Sequence, residues 1–182
     1  MADQDFELTA KLRIRAVTAN DAKDLQTYCF TTSTVEDIGN ELKDDLARNK
    51  KGEVYRLVVE ASNHAIGNIR VERHKLDNAL GELSQLAVCT PFRAFQIADK
   101  LVAVAEQVAQ ENGIKTLQIE LPKSDGSIIE AYKKWGFAER PVVTLQKQVG
   151  QSTPEETPVA TATPPPEKPK ALGDEGKQQE LL

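Results

Sequence analysis

The residues best placed to do chemistry lie between Glu82 and Gly113, in ELSQLAVCTPFRAFQIADKLVAVAEQVAQENG. Glu82–Val88 reads as a half-buried strand and Cys89–Phe95 as a short loop. An amphipathic helix follows, with apolar Ile97, Leu101, Val104, Ala105 and Val108 on one face of a 3.6-residue period. Gly113, just past the last periodic residue, is its stop. A strand that turns directly into a helix N-terminus presents backbone N–H groups to an anion such as phosphate. Arg93 in that loop is a candidate charged clamp. The plainer alternative is an ordinary loop-to-helix turn with a solvent-exposed arginine.

Other reactive residue types are sparse. Cys29 and Cys89 stand alone, and neither His64 nor His74 is tied to them by a nucleophile signature. Both thiols read as small, buried and reduced, which suits an intracellular protein. No spacing suggests a zinc or other metal site. Arg70, Arg73, His74 and Lys75 form a modest basic patch, read as a solvated strand end or as a meeting point for an acidic partner.

The elements that must position the central turn follow from periodicity. Leu12–Val17 alternates as a first strand, and Thr18–Asp21 offers caps for a helix through Ala22, Leu25, Tyr28 and Cys29. After a polar hinge, Ser33 with Glu36 reads as a capping box for a second helix whose buried face is Val35, Ile38, Leu42 and Leu46. Tyr55–Glu60 and Ala65–Glu72 read as strands joined by the turn Ala61-Ser62-Asn63-His64. Beyond the main helix come a strand at Thr116–Leu121, a helix from Asp125 or Ser127 to about Trp135, a stop at Gly136-Phe137, and a last strand at Val142–Gln146. The expected order is β-α-α-β-β-β-α-β-α-β-β, an α/β fold with an antiparallel first half and a parallel strand–helix–strand unit from Leu83 to Leu121.

Composition divides the 182-residue chain into a flexible N-terminus (1–10), one domain (11–149) and a tail (150–182). Six of the nine prolines lie in that tail, which lacks aromatic residues and carries three lysines against six acids. It cannot bury enough apolar surface to offset its ordering entropy, so a disordered, partly polyproline tail is expected. A solubilising extension is its simpler role; binding a protein partner is the other. The formal net charge of −5 gives no electrostatic footprint for nucleic acid or an anionic membrane. Met1–Ala16 carries Asp3, Asp5 and Glu7 and does not read as a signal peptide, and no apolar run reaches bilayer length. A soluble, cytoplasmic protein is the expectation.

Two stretches together carry a family resemblance. Glu82–Val88 followed by Phe92-Arg93-Ala94-Phe95-Gln96-Ile97-Ala98 resembles strand 4 and motif A of the GNAT (N-acetyltransferase) superfamily. Ile128-Ile-Glu-Ala-Tyr132-Lys-Lys-Trp-Gly136-Phe137 resembles that family's motif B. Leu12–Ala16 with Asn20-Asp21-Ala22 resembles its opening strand and first helix, so the likeness spans about residues 10–148. Two departures stand out. Gln96 occupies the place of the middle glycine in the family's R-x-x-G-x-G/A loop, and Asp125 stands near the usual motif B asparagine.

The resemblance implies a GNAT-type fold and direct acyl transfer from acetyl-CoA, the co-substrate, to an amine acceptor of a small molecule or protein. It places the pyrophosphate on Arg93, Ala94, Gln96, Ile97 and Ala98, and the acyl carbonyl on the backbone of Leu86, Ala87 and Val88. Tyr132 would protonate the departing thiolate, its other reading being a core aromatic. Glu82 would be the base, its other reading a surface carboxylate at a strand edge. The acceptor would enter near the hinge Phe30–Thr34. The competing function is a GNAT-fold binding, assembly or CoA-sensing module without turnover.

Overall fold

The computed structural model describes residues 11–143, 145 and 147. Five strands form one mixed sheet in sequential order: β1 (Leu12–Ala16), β2 (Val54–Ala61), β3 (His64–Arg73), β4 (Leu80–Val88) and β5 (Thr116–Gln118). The first four are antiparallel neighbours, and β5 joins β4 in parallel. Among the described residues four helices accompany the sheet: α1 (Ala22–Tyr28), α2 (Val35–Asn49), α3 (Ile97–Glu111) and α4 (Gly126–Lys134). A 3-10 turn at Ala19–Asp21 precedes α1, and another at Thr90–Phe95 precedes α3. The mixed α/β class with an antiparallel first half is the one the sequence implies. The chain divides after Arg140, and the described residues beyond it carry no regular structure.

Strand alternation sorts side chains onto two faces. Tyr55, Leu57, Val59, Ile69, Val71 and Leu83 point to one face, where α3 supplies Ile97, Leu101, Val102 and Ala105 and α4 supplies Tyr132. Val58 and Ala65 point to the other, under Ala22 and Leu25 of α1 and Ile38 and Leu42 of α2. The β2–β3 hairpin turns on Ser62 and Asn63 with φ of 49° and 67°. Two successive left-handed residues match the twist of the flanking strands, and asparagine tolerates that region better than most.

Several boundaries depart from the sequence expectation. The cap of α2 is Thr34 with Asp37, one residue later than Ser33 with Glu36. Thr34 Oγ1 accepts from the Asp37 backbone N–H at 3.1 Å and donates to Asp37 Oδ2 at 2.7 Å. Val35, expected on the buried face, is 45% exposed. β5 ends at Gln118 rather than Leu121, because only Leu80–Glu82 of β4 pairs with it. Leu117, Ile119 and Leu121 still pack on the core. Alternation therefore reports the apolar side there but not the extent of the ladder. The two final strands expected after α4 are not formed at the described positions, which include 142, 143 and 145. The segments 1–10 and 150–182 lie outside the described residues, and so do the expectations for them.

The cap assignment is directly testable by denaturant unfolding. Thr34→Ala is expected to cost about 1 kcal/mol. Ser33→Ala, which removes no cap, stays within about 0.5 kcal/mol of the parent.

Candidate functional site

The site is built on β4. Past its last partner in β5, Glu82↔Gln118, β4 runs on through Val88 paired on the β3 side only. Beyond Glu82 the β4 backbone therefore has no ladder partner on its β5 side among the described residues. Midway along this free stretch the register with β3 shifts, Arg70↔Ser84 giving way to Asn68↔Ala87. β4 uses one residue more than β3 there, a β-bulge, and Gln85 takes φ +52° to make it.

That left-handed glutamine is held from two directions. Asn68, fully buried, donates from Nδ2 to the Gln85 carbonyl at 2.8 Å. Its Oδ1 in turn accepts from Arg56 Nε at 2.8 Å. Arg56 Nη1 donates to Asp45 at 2.9 Å, and Arg70 Nε reaches the other oxygen of Asp45 at 3.0 Å. From α2, Glu41 accepts from Gln85 Nε2. A buried polar chain thus runs from α2 through β2 and β3 to the bulge. Two of its atoms, Arg56 Nη2 and Gln85 Oε1, are buried without a hydrogen-bond partner among the described residues.

At the end of β4 the Cys89 N–H donates to Ile66 O, then the 3-10 turn leads to Gln96. Gln96 sits at φ +54° and ψ +28°, and α3 begins at Ile97. A residue in this region normally costs about 1–2 kcal/mol unless it is glycine. The position where the motif expects glycine is therefore one where the backbone demands a glycine-like φ, and Gln96 supplies it with its side chain exposed. The α3 N-terminus carries no side-chain cap on Gln96. Arg93, exposed in the turn, folds its Nε onto Val88 O at 3.1 Å.

α4 reaches the same place. Trp135 Nε1 donates to Asp99 Oδ1, in the first turn of α3, at 2.6 Å. Trp135 and Phe137 both stand edge-on to Tyr132, with ring centroids 5.0 and 5.3 Å away. Tyr132 is 5% exposed, and burial pushes its phenol up to about 12. Such a phenol stays protonated across the physiological range and can donate but not act as a base.

Glu82 is not brought to this group. It is exposed where β4 pairs with β5, six residues from Val88, or about 20 Å along a strand. Asp125 stands just before α4, its Oδ1 accepting from Ser124 Oγ at 3.1 Å. Burial pushes the Cys29 thiol up to about 12, so it is no ready nucleophile. The basic patch also resolves differently. Arg70 is part of the buried chain, and Arg73 is pinned to the carbonyls of Gly52, Asn78 and Asn112. Among the described residues no group of three or more His, Cys, Asp or Glu could hold a metal, and no helix is long and apolar enough to cross a membrane.

Sequence reasoning missed Glu41, Asn68, Arg56 and Gln85. One signal bears on the bulge: Leu83 and Val88 lie in one core cluster although an odd spacing of five would put them on opposite faces of a regular strand.

Comparison with known proteins agrees with this geometry. The family model described as "Acetyltransferase (GNAT) family" matches residues 19–137. No curated protein matches the chain. Among solved structures, aminoglycoside N-acetyltransferase AAC(6')-Iy in complex with CoA aligns with a TM-score of 0.67 at 14% identity, over 79% of this chain and 99% of that one. AAC(6')-IG from Acinetobacter haemolyticus aligns at 0.61 and 18% identity, over 75% and 99%. Glucosamine-6-phosphate N-acetyltransferase from Arabidopsis thaliana aligns at 0.57 and 16%, over 76% and 99%. At such identities the likeness is one of fold.

Two substitutions test the site's construction in urea unfolding. Gln96→Gly is expected to raise stability by about 1 kcal/mol by relieving the left-handed backbone, whereas Gln96→Val lowers it. Asp45→Asn, which strips the buried Arg56 and half-buried Arg70 guanidinium groups of the counter-charge they share, is expected to cost about 3–5 kcal/mol.

Proposed function

The chain belongs to the GNAT acetyltransferase family, and from that premise we propose that it transfers an acyl group, acetyl in the first instance, from acyl-CoA to an amine. The observation that carries this reading is the bulged β4, unpaired with β5 beyond Glu82, leading through a left-handed turn into a helix N-terminus without a side-chain cap. Coenzyme A offers a pyrophosphate and an extended arm. The N–H groups at the start of α3, from Gln96, Ile97 and Ala98, suit the pyrophosphate, with the backbone at Ala94 and the Arg93 guanidinium beside them. The free edge of β4 suits the arm, and the backbone of Leu86, Ala87 and Val88 suits the thioester carbonyl.

The neutral amine nitrogen attacks the thioester carbon, forming the C–N bond and losing one proton to solvent, and the C–S bond breaks with its electron pair leaving on sulfur. Tyr132 Oη–H supplies the proton that the thiolate takes up, and its own proton returns from solvent. A buried phenol held protonated by its surroundings fits that part better than it fits a base. Glu82 fits the part of base poorly, being solvent-facing at the far end of the strand. The setting we propose is the cytoplasm, which suits two free cysteines. A second reading, CoA binding without transfer, draws on Arg93, whose Nε is committed to Val88 O.

Thermal unfolding and a thiol-release assay separate these readings. Acetyl-CoA at 100 times its dissociation constant should add about 2.7 kcal/mol of stability. No stabilisation at millimolar acetyl-CoA sinks both. For the transferase, Tyr132→Phe should lower kcat by about 10²–10⁴ with acetyl-CoA binding unchanged. Binding without thiol release over a broad amine panel favours the second.

A further inference from the structure

The bulge decides which residues of β4 turn their backbone toward β5. Ahead of it, Ala79 at the head of β4 presents its carbonyl on that side and accepts from the N–H groups of Lys115 and Thr116 at 2.7 and 3.0 Å. Backbone direction alternates along a regular strand, so Gly81, Leu83, Gln85 and then Ala87 would share it. Past the bulge the order is reversed. Cys89, an odd position, donates to Ile66 on the β3 side at 2.8 Å, two residues on from the pair Asn68↔Ala87. Val88 therefore turns its N–H and C=O to the edge that has no ladder partner among the described residues. Its carbonyl accepts from Arg93 Nε at 3.1 Å.

One buried side chain holds this arrangement. The left-handed backbone of Gln85 is unfavourable for a residue with a Cβ, and its carbonyl needs a donor from outside the ladder. Asn68 Nδ2 is that donor, at 2.8 Å. The direction of the Asn68 amide is fixed, because Arg56 Nε can only donate and takes Oδ1 at 2.8 Å. The backbone of Asn68 is itself the partner of Ala87. Asn68, 0% exposed, thus grips β4 on both sides of Leu86, once by its side chain and once by its backbone.

We propose that Asn68 is the positioning residue for the thioester carbonyl: its bond to the Gln85 carbonyl keeps the extra residue in β4, and so keeps the Val88 N–H aimed at the substrate. This rests on the transferase reading above. Asn68 touches no ligand and acts only through the strand. The Val88 N–H donates to the thioester oxygen and stabilises the negative charge that gathers there while the amine attacks. That charge returns to the carbonyl carbon as the C–S bond breaks. With the extra residue lost from the bulge, Ala87 would face the edge instead and the Val88 N–H would turn to β3. An aspartate at position 68 is close in shape and still accepts from Arg56, but it has no N–H for the Gln85 carbonyl.

The test uses the full chain and acetyl-CoA carrying ¹³C at the thioester carbonyl, read by infrared difference spectroscopy. In the parent the bound carbonyl stretch should lie below that of free acetyl-CoA, as a hydrogen bond to its oxygen requires. In Asn68→Asp it should return at least halfway to the free value. Thiol release with the fastest amine of the panel above should fall in kcat by about 10–100-fold, with KM for acetyl-CoA within about threefold of the parent. A variant that merely lost stability would move neither the stretch of the bound thioester nor kcat per bound acetyl-CoA. If Asn68→Asp melts too low to assay, Asn68→Ser, whose hydroxyl falls short of the Gln85 carbonyl, takes its place with the same expectations. A stretch unchanged from the parent, a kcat within about threefold of it, or a folded variant that no longer binds acetyl-CoA overturns the role of Asn68 and leaves the transferase reading standing. So does a parent complex whose stretch matches that of free acetyl-CoA. A parent that does not bind acetyl-CoA, or binds it and releases no thiol to any amine, overturns the transferase reading and this one with it.

Discussion

The fold depends on one buried carboxylate. Asp45, 2% exposed, accepts from Arg56 and Arg70 on its two oxygens and so ties α2 to the middle of the sheet through charge, beside the apolar packing of Ile38 and Leu42. Taking three charges out of water is costly, and a network of this kind is favourable only when nearly every donor and acceptor in it is used. That condition explains what surrounds it. Arg56 needs a second acceptor, which is Asn68, and Asn68 needs an acceptor for its own amide, which is the Gln85 carbonyl. That carbonyl is available because the bulge breaks the ladder there. Bulge and buried ion pair therefore specify one another. Glu72 shows the same balance farther out: burial pushes its carboxyl up, but Arg48 and Arg70 together hold it below the usual range.

This coupling is also the boundary of what can be read from sequence. Helices α2 and α3 are legible because apolar residues repeating every 3.6 positions line up on a helix and on no strand, and the first-half strands because alternation runs long enough. Glu41 and Asp45 look like the polar side of α2, and Arg56, Asn68 and Arg70 look like the outward side of two edge-like strands. Only tertiary placement turns those polar faces toward one another. Arg73 escapes a sequence reading for a similar reason, since its three carbonyl acceptors come from parts of the chain 5 to 39 residues away. The α2 cap differs by one position because Ser33 and Thr34 head equally plausible boxes, and the extended backbone that a cap requires is found at Thr34.

Of the site, the turn is legible and the acid–base groups less so. Gln96 looks like a defect in a glycine motif, yet the structure retains the motif's backbone: φ +54° is what a glycine would adopt. What a phosphate recognises in such a turn is the N–H array, not the side chain, so the substitution costs conformational energy before it costs a ligand contact. Gln85, at φ +52° in the β4 bulge, carries the same backbone penalty without any motif to advertise it.

A carboxylate stands in the first turn of α3, beside the N-terminus proposed to hold the pyrophosphate. Asp99 complements the helix dipole there, but its charge would also repel a phosphate. Its Oδ1 accepts from Trp135 Nε1 at 2.6 Å, which draws the carboxylate toward α4 and disperses its charge into a hydrogen bond. The same bond fixes the end of α4 against the start of α3, and the edge-on packing of Trp135 and Phe137 then fixes the Tyr132 ring. Asp99 thus acts toward α4: it gives up some attraction for an anion in exchange for the position of the one phenol that the site holds protonated.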